Sequence, residues 1–185
     1  ARSSRNDVLE LTLLEKYSIH AVQSGRIFVI FTWIKRTDEK LLSQSPLLCL
    51  MCAWGLLMSF DLDQGEVWLN KARMMLNQPH SRFQIVSIEK ELWGALYITE
   101  SLYAAINGEN EKALDYSRKV INLLPEANGF VRGFGLLNQA ITLAIMGEND
   151  QAVAILEETI QQSRNSGNWV ILFIANSNLG ELLIN

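Results

Sequence analysis

GENEKALDYSRKVINLLP, residues 108–125, and GENDQAVAILEETIQQSR, residues 147–164, decide how this chain is read. Each opens Gly-Glu-Asn, follows with an acidic residue, and sets an alanine five positions after the glycine, Ala113 and Ala152. Leu114, Ser117, Val120, Ile121 and Leu124 then return at helical spacing, as do Val153, Leu156, Ile160 and Ser163. A period near 3.6 puts them on one side of a helix. The glycine provides the left-handed residue that closes one helix before the next begins. Asn110 and Asn149 are the expected N-caps, with Glu111 and Asp150 well placed beside the helix dipole.

Outward from these segments, the same frame fits twice more. SFDLDQGEVWLNKA puts Phe60 at the glycine position and Gly65 at the alanine position, and GRIFVIFTWI puts Gly25 and Ile30 there. The anchors 25, 60, 108 and 147 are spaced by 35, 48 and 39 residues. Seven positions before them stand Ser18, Ala53, Ser101 and Ala140, and Gly180 extends that series. Two antiparallel helices joined by a tight turn approach closest near such small residues, and a large side chain would hold them apart. Small–turn–small at this period is the mark of stacked helical hairpins. Further breaks fall at Pro46, Pro79, Pro125 and Gly167. The apolar run from Leu47 to Met58 reads as a buried helix, too short to span a bilayer. IFVIFTWI, 27–34, is β-prone in composition but flanked by helical patterns, and is read as buried helix. The predicted fold is all-α, about four hairpins plus a terminal helix, with helix over about 65% of residues against a norm of ~30–35%.

Composition agrees. The chain has 185 residues, 49% hydrophobic and 19% charged, which excludes disorder. Three prolines and 11 glycines are too few for the many turns of an all-β chain. The net charge is −4, all of it carried by the last 53 residues, which argues against nucleic-acid contact there. No secretory leader pattern, no N-x-[ST] sequon and only two cysteines point to a cytoplasmic setting and no membrane partner.

In the third repeat, Tyr97, Ser101, Gly108, Ala113 and Pro125 fall on the aromatic, small, glycine, alanine and proline positions of the tetratricopeptide motif. Glu100 stands where leucine is usual, Ala104 where tyrosine is usual, and the spacings exceed that motif's period. This irregular version resembles the helical-repeat region of MalT-like, large ATP-binding LuxR-type transcriptional regulators. The resemblance is carried by segments 41–72, 108–140 and 147–183, above all VRGFGLLNQAITLAIMGENDQAVAILEETI. It implies that residues 1–185 are one repeat domain, a middle segment between a nucleotide switch domain and a C-terminal helix-turn-helix. Its partners would be those neighbouring domains and a small-molecule inducer or regulatory protein. The chain itself has no G-x-x-x-x-G-K-[ST] phosphate loop and no basic recognition helix. Neither ATP hydrolysis, a cofactor, nor direct nucleic-acid contact is expected of it.

Candidate chemistry is sparse. Cys49 and Cys52 form C-x-x-C, but within an apolar helix and without a second ligand pair, so they read as packing. His20 and His80 have no catalytic or metal spacing around them. NGFVRGFG, with Gly129, Gly133 and Gly135, reads as a hairpin linker with close packing, because a helix and Pro125 rather than a strand precede it. Glu100 either points to the edge of the stack or pairs with a buried donor or ligand. In the hairpin frame the first helices offer Met51, Trp54, Thr99, Leu102, Asn138, Ile141 and Asn178 to a concave groove; the same residues serve equally as inter-repeat core. An enzyme or carrier would need convergent titratable groups, and none is evident. The function expected is therefore non-catalytic: sensing by differential affinity, or scaffolding of protein partners alone. Finally, 168–185 reads as a first hairpin helix whose second side lacks cover, so a truncated segment with a fraying or self-associating end is expected.

Overall fold

The computed structural model describes residues 2–23, 27–78, 86–124 and 129–184. It is 86% helix, with ten helices and no strand among the described residues. They are α1 (Arg2–Gln23), α2 (Ile27–Ile34), α3 (Glu39–Leu42), α4 (Pro46–Leu57), α5 (Leu62–Leu76), α6 (Val86–Ile106), α7 (Asn110–Leu123), α8 (Gly129–Ile145), α9 (Asn149–Ser166) and α10 (Trp169–Ile184). The span read above as one repeat domain comprises two compact units, Ala1–Arg82 and Phe83–Asn185. Gly25, Pro79, His80 and Pro125 lie outside the described residues.

In the first unit, Ser45 caps α4 by accepting from the Leu48 N–H, with Pro46 opening the helix. The run Leu47–Met58 is the buried helix expected of it up to Leu57, where Met58 turns outward, 54% exposed. IFVIFTWI is helix, buried on one side only: Ile30 is 1% exposed, while Val29 and Trp33 face outward. Gly55 makes room for the Phe31 ring, which would sit 2.5 Å from an added Cβ. Leu11, Ile30, Leu42, Leu48 and Met51 form the core of this unit.

The second unit pairs α6 with α7 and α8 with α9, and α10 lies against α8 and α9. At the α6–α7 crossing Ser101 Oγ is 2.9 Å from Ala113 O and 2.8 Å from Ser117 Oγ, all buried. Ala140 and Ala152 of the α8–α9 pair are both fully buried. Gly65 of α5 faces Ala53 O of α4 at 3.6 Å from an added Cβ, and Leu57 Cδ2 at 2.8 Å. Two ties run between hairpins. Asn138 Nδ2 of α8 donates to Ile98 O of α6 at 3.2 Å. Arg132 Nη1 donates to Ile121 O and Leu124 O, closing the carbonyl end of α7.

Four described turns share one geometry, the fourth at Gly167, where φ is 68° and the Asn168 N–H reaches back to Ser163 O at 2.9 Å. Phe60, Gly108 and Gly147 have φ of 60°, 75° and 85°. The following N–H of Asp61, Glu109 and Glu148 reaches back to Leu56 O, Ala104 O and Leu143 O at 2.8–3.0 Å. This geometry corrects the expected caps. Glu109 and Glu148 stand at the N-cap, without a side-chain cap bond, and Asn110 and Asn149 are already helical. The preceding helix uses the Glu N–H, so the next helix starts one residue earlier than Asn-capping would allow. NGFVRGFG is also corrected: from Gly129 it is helix, not linker. Gly133 and Gly135 are tolerated because neighbours press on them: an added Cβ would meet Ile171 Cγ1 at 3.3 Å and Val120 Cγ1 at 2.8 Å. Glu100 does not point to an edge but is 5% exposed, and it has a partner.

Two stability outcomes follow from the turns and crossings. Phe60 is strained in the left-handed region and its ring is 78% exposed, so it gains little from packing. Phe60→Gly should raise stability by about 0.5–1 kcal/mol in urea unfolding, strain relief outweighing glycine's entropy. Ala113→Leu adds methylenes at a fully buried site on the α6–α7 crossing and should cost about 1–3 kcal/mol in the same measurement.

Candidate functional site

Small residues that let helices cross also leave hollows beside the crossing. Between α8, α9 and α10 of the second unit lies an opening of about 270 Å³. Ala140, Ile141 and Ala144 of α8 line it with Leu156 of α9 and Leu182 of α10, and Asn178 and Glu181 of α10 supply its polar groups. Asn178 Nδ2 donates to Ile174 O at 2.8 Å, which fixes the amide and leaves Oδ1 as its acceptor. Glu181 is exposed and has a partner. The hollow thus combines apolar walls with one fixed amide and one carboxylate, the usual makeup of a small-ligand pocket, slightly below the usual volume.

Of the seven groove candidates, the hollow brings together Ile141 and Asn178. Asn138, three residues before Ile141, is half-buried and spends its amide on Ile98 O. Thr99 is 3% exposed and donates to Ala95 O, so it faces packing rather than solvent. Leu102 is half-buried. Met51 and Trp54 belong to the first unit, where Met51 is core and Trp54 stacks on Phe31 at 5.9 Å. Glu181 and Ala144 were not among the sequence candidates. Glu181 lies three residues after Asn178 on the same side of α10, a spacing that could have revealed it.

A second hollow, about 330 Å³, opens on the first unit between α1 and α2. Leu9, Leu13, Leu14, Tyr17 and Trp33 line it, with Glu10 among them. The Tyr17 and Trp33 rings meet edge to face at 5.7 Å. The apolar stripe on α1 is visible in the sequence, but the same spacing marks a buried face, so periodicity alone does not expose it.

No group of three metal-ligating side chains occurs among the described residues. His20 lies in α1. Cys49 and Cys52 are free and buried. Burial pushes the Cys49 thiol up to about 11. Burial, with the neighbouring Cys49, pushes Cys52 up to about 12. Neither is a nucleophile near neutrality. No described helix is long and apolar enough to cross a membrane. Comparison with protein-family models, curated proteins and solved structures finds no match to this chain.

The thiols give a direct test. At about pH 8 Ellman's reagent should leave both unmodified in the native protein and titrate both on unfolding. Because folding raises their pKa above the ordinary 9.0, unfolded thiols ionise first, and stability should fall as pH rises from about 9 toward about 11.

Proposed function

We propose that this chain is a non-catalytic, tetratricopeptide-like helical-repeat module that binds a small inducer or a regulatory protein. Its place would be the sensor segment of a MalT-like, LuxR-type transcriptional regulator acting in the cytoplasm. The observation that supports the reading is the threefold use of one turn, at Phe60, Gly108 and Gly147, between helices that carry buried small residues at matching positions. A repeat module of this kind leaves concave space between first helices, and the hollow at Ile141 and Asn178 would serve as that space. A ligand there touches α8, α9 and α10 together. Its binding would favour one arrangement of these helices, and a neighbouring switch domain would read that preference.

The second reading is a scaffold that engages only protein partners. It is favoured by the modest size of the hollow, about 270 Å³, and by its single fixed amide.

Two hollow-filling variants test the first reading. Asn178→Leu and Ile141→Trp, placed in the intact protein, should lower induced reporter transcription by about tenfold or more while leaving the uninduced level and the melting temperature unchanged. Full induction with both variants would assign the hollow to packing and leave the scaffold reading. Salt-sensitive, nanomolar DNA binding by the isolated chain at physiological salt would overturn both.

A further inference from the structure

The hollow between α1 and α2 of the first unit, about 330 Å³, combines three kinds of lining. Leu9, Leu13 and Leu14 are its aliphatic part, Tyr17 and Trp33 its aromatic part, and Glu10 its carboxylate. No lysine or arginine lines it, and Lys16, beside Tyr17 in sequence, is exposed outside that lining.

The two rings stand at 88° with their centroids 5.7 Å apart. Perpendicular rings form a corner, and a cation seated in it lies within about 6 Å of both centroids, the reach of cation–π attraction. Both rings are open to solvent, Tyr17 53% and Trp33 37% exposed. Glu10 and Tyr17 are nearly two full turns apart on α1, so they share a side of the helix about 10.5 Å apart along its axis. Helical side chains lean toward the N-terminus, so Tyr17 reaches back over the turn that holds Leu13 and Leu14. A positive group resting on those leucines is about 5 Å from the carboxylate on one side and from the ring on the other.

We propose that this hollow binds a small quaternary ammonium compound, its methylated head in the Tyr17–Trp33 corner and its charge facing Glu10. Each alternative occupant leaves something unmatched. An anion meets a carboxylate and the negative faces of two rings. A neutral apolar ligand, or the apolar side of another helix, strips water from Glu10 and returns neither charge nor donor. A metal ion or a primary ammonium needs several acceptors in place of its water, and the leucines and ring faces offer none. A quaternary ammonium has no N–H to satisfy and gains from the ring faces and the carboxylate together. The volume, at the low end for ligand pockets, suits such a head with a short arm. Helical walls present no free backbone edge, so an extended peptide has nothing to pair with. This assignment does not depend on whether the second unit's hollow takes a ligand.

Titration of the full chain with choline and with its uncharged carbon isostere, 3,3-dimethylbutan-1-ol, followed by nuclear magnetic resonance, is the test. The Trp33 indole N–H signal, assigned by its loss in Trp33→Leu, should shift with choline, with a dissociation constant of about 0.1–10 mM. The isostere should bind at least tenfold more weakly. Added salt should weaken choline binding, because part of the attraction is the Glu10 charge. Glu10→Gln should weaken it about threefold or more, and Trp33→Leu, read from broadening of the choline methyl signal, about tenfold or more. Both side chains are exposed, so circular dichroism should not change. Asn178→Leu, in the second unit's hollow, should leave choline binding as it is. Flotation with phosphatidylcholine vesicles separates two sources of the same head group. Choline binding without flotation identifies a dissolved ligand, and flotation lost in Trp33→Leu identifies a lipid head group; either result upholds the site. No shift with choline up to ~50 mM overturns the proposal. So does equal affinity for the isostere, or choline binding indifferent to both Glu10→Gln and Trp33→Leu, which leaves the hollow as an apolar surface for another polypeptide.

Discussion

The close crossing of two helices at paired small residues is the constraint from which the rest of this structure follows. A serine at 101 and an alanine at 113 let α6 and α7 approach until a side-chain hydroxyl reaches the facing backbone. Once helices come that near, the connection between them must be short. A short connection forces one residue into the left-handed region, and the chain supplies Gly108 and Gly147 for it. Between α4 and α5 it supplies Phe60, and the backbone adopts the same shape regardless. Tertiary approach therefore dictates the turn, and residue preference adjusts to it.

Much of this was legible because it lies in small residues and their spacing. The positions of Ala53, Ser101, Ala140, Gly65, Ala113 and Ala152 could be read from the sequence, and all are buried. The helical state of 27–34 was legible only from its flanks, since its own composition favours strand. What sequence could not give is which side of a helix faces a neighbour and which faces water. Leu9, Leu13 and Tyr17 repeat as a core stripe would, yet they are exposed. The caps were misread for a related reason. Asn is a better N-cap than Glu in isolation. Here, however, the N-cap residue also serves the end of the preceding helix, and that double duty is invisible in a local window. Of the candidate site, Ile141 and Asn178 were found and Glu181 was missed, because a lone carboxylate on a helix reads as solvated surface.

The candidate site is a by-product of the same constraint. Ala140 must be small for α8 to meet α9, and Ala144 one turn later is small as well. Together with Ile141 and Leu182 they line the hollow of about 270 Å³. Asn178 lines it too, with its amide already tied to Ile174 O. A pocket built this way needs no dedicated loop. Its shape is as rigid as the helices around it, and any change in their crossing alters it directly.

The ties between hairpins carry a consequence of their own. Arg132 of α8 holds the last carbonyls of α7, and Asn138 of α8 holds a carbonyl in the middle of α6. Neither bond can survive if one hairpin opens while its neighbour stays in place. A carbonyl in mid-helix that loses its second donor keeps its own helical bond, but the ends of α7 have no such reserve. Opening of either hairpin would thus break both ties and draw the other with it. Through these bonds of α8, the α6–α7 and α8–α9 hairpins would open together rather than one at a time.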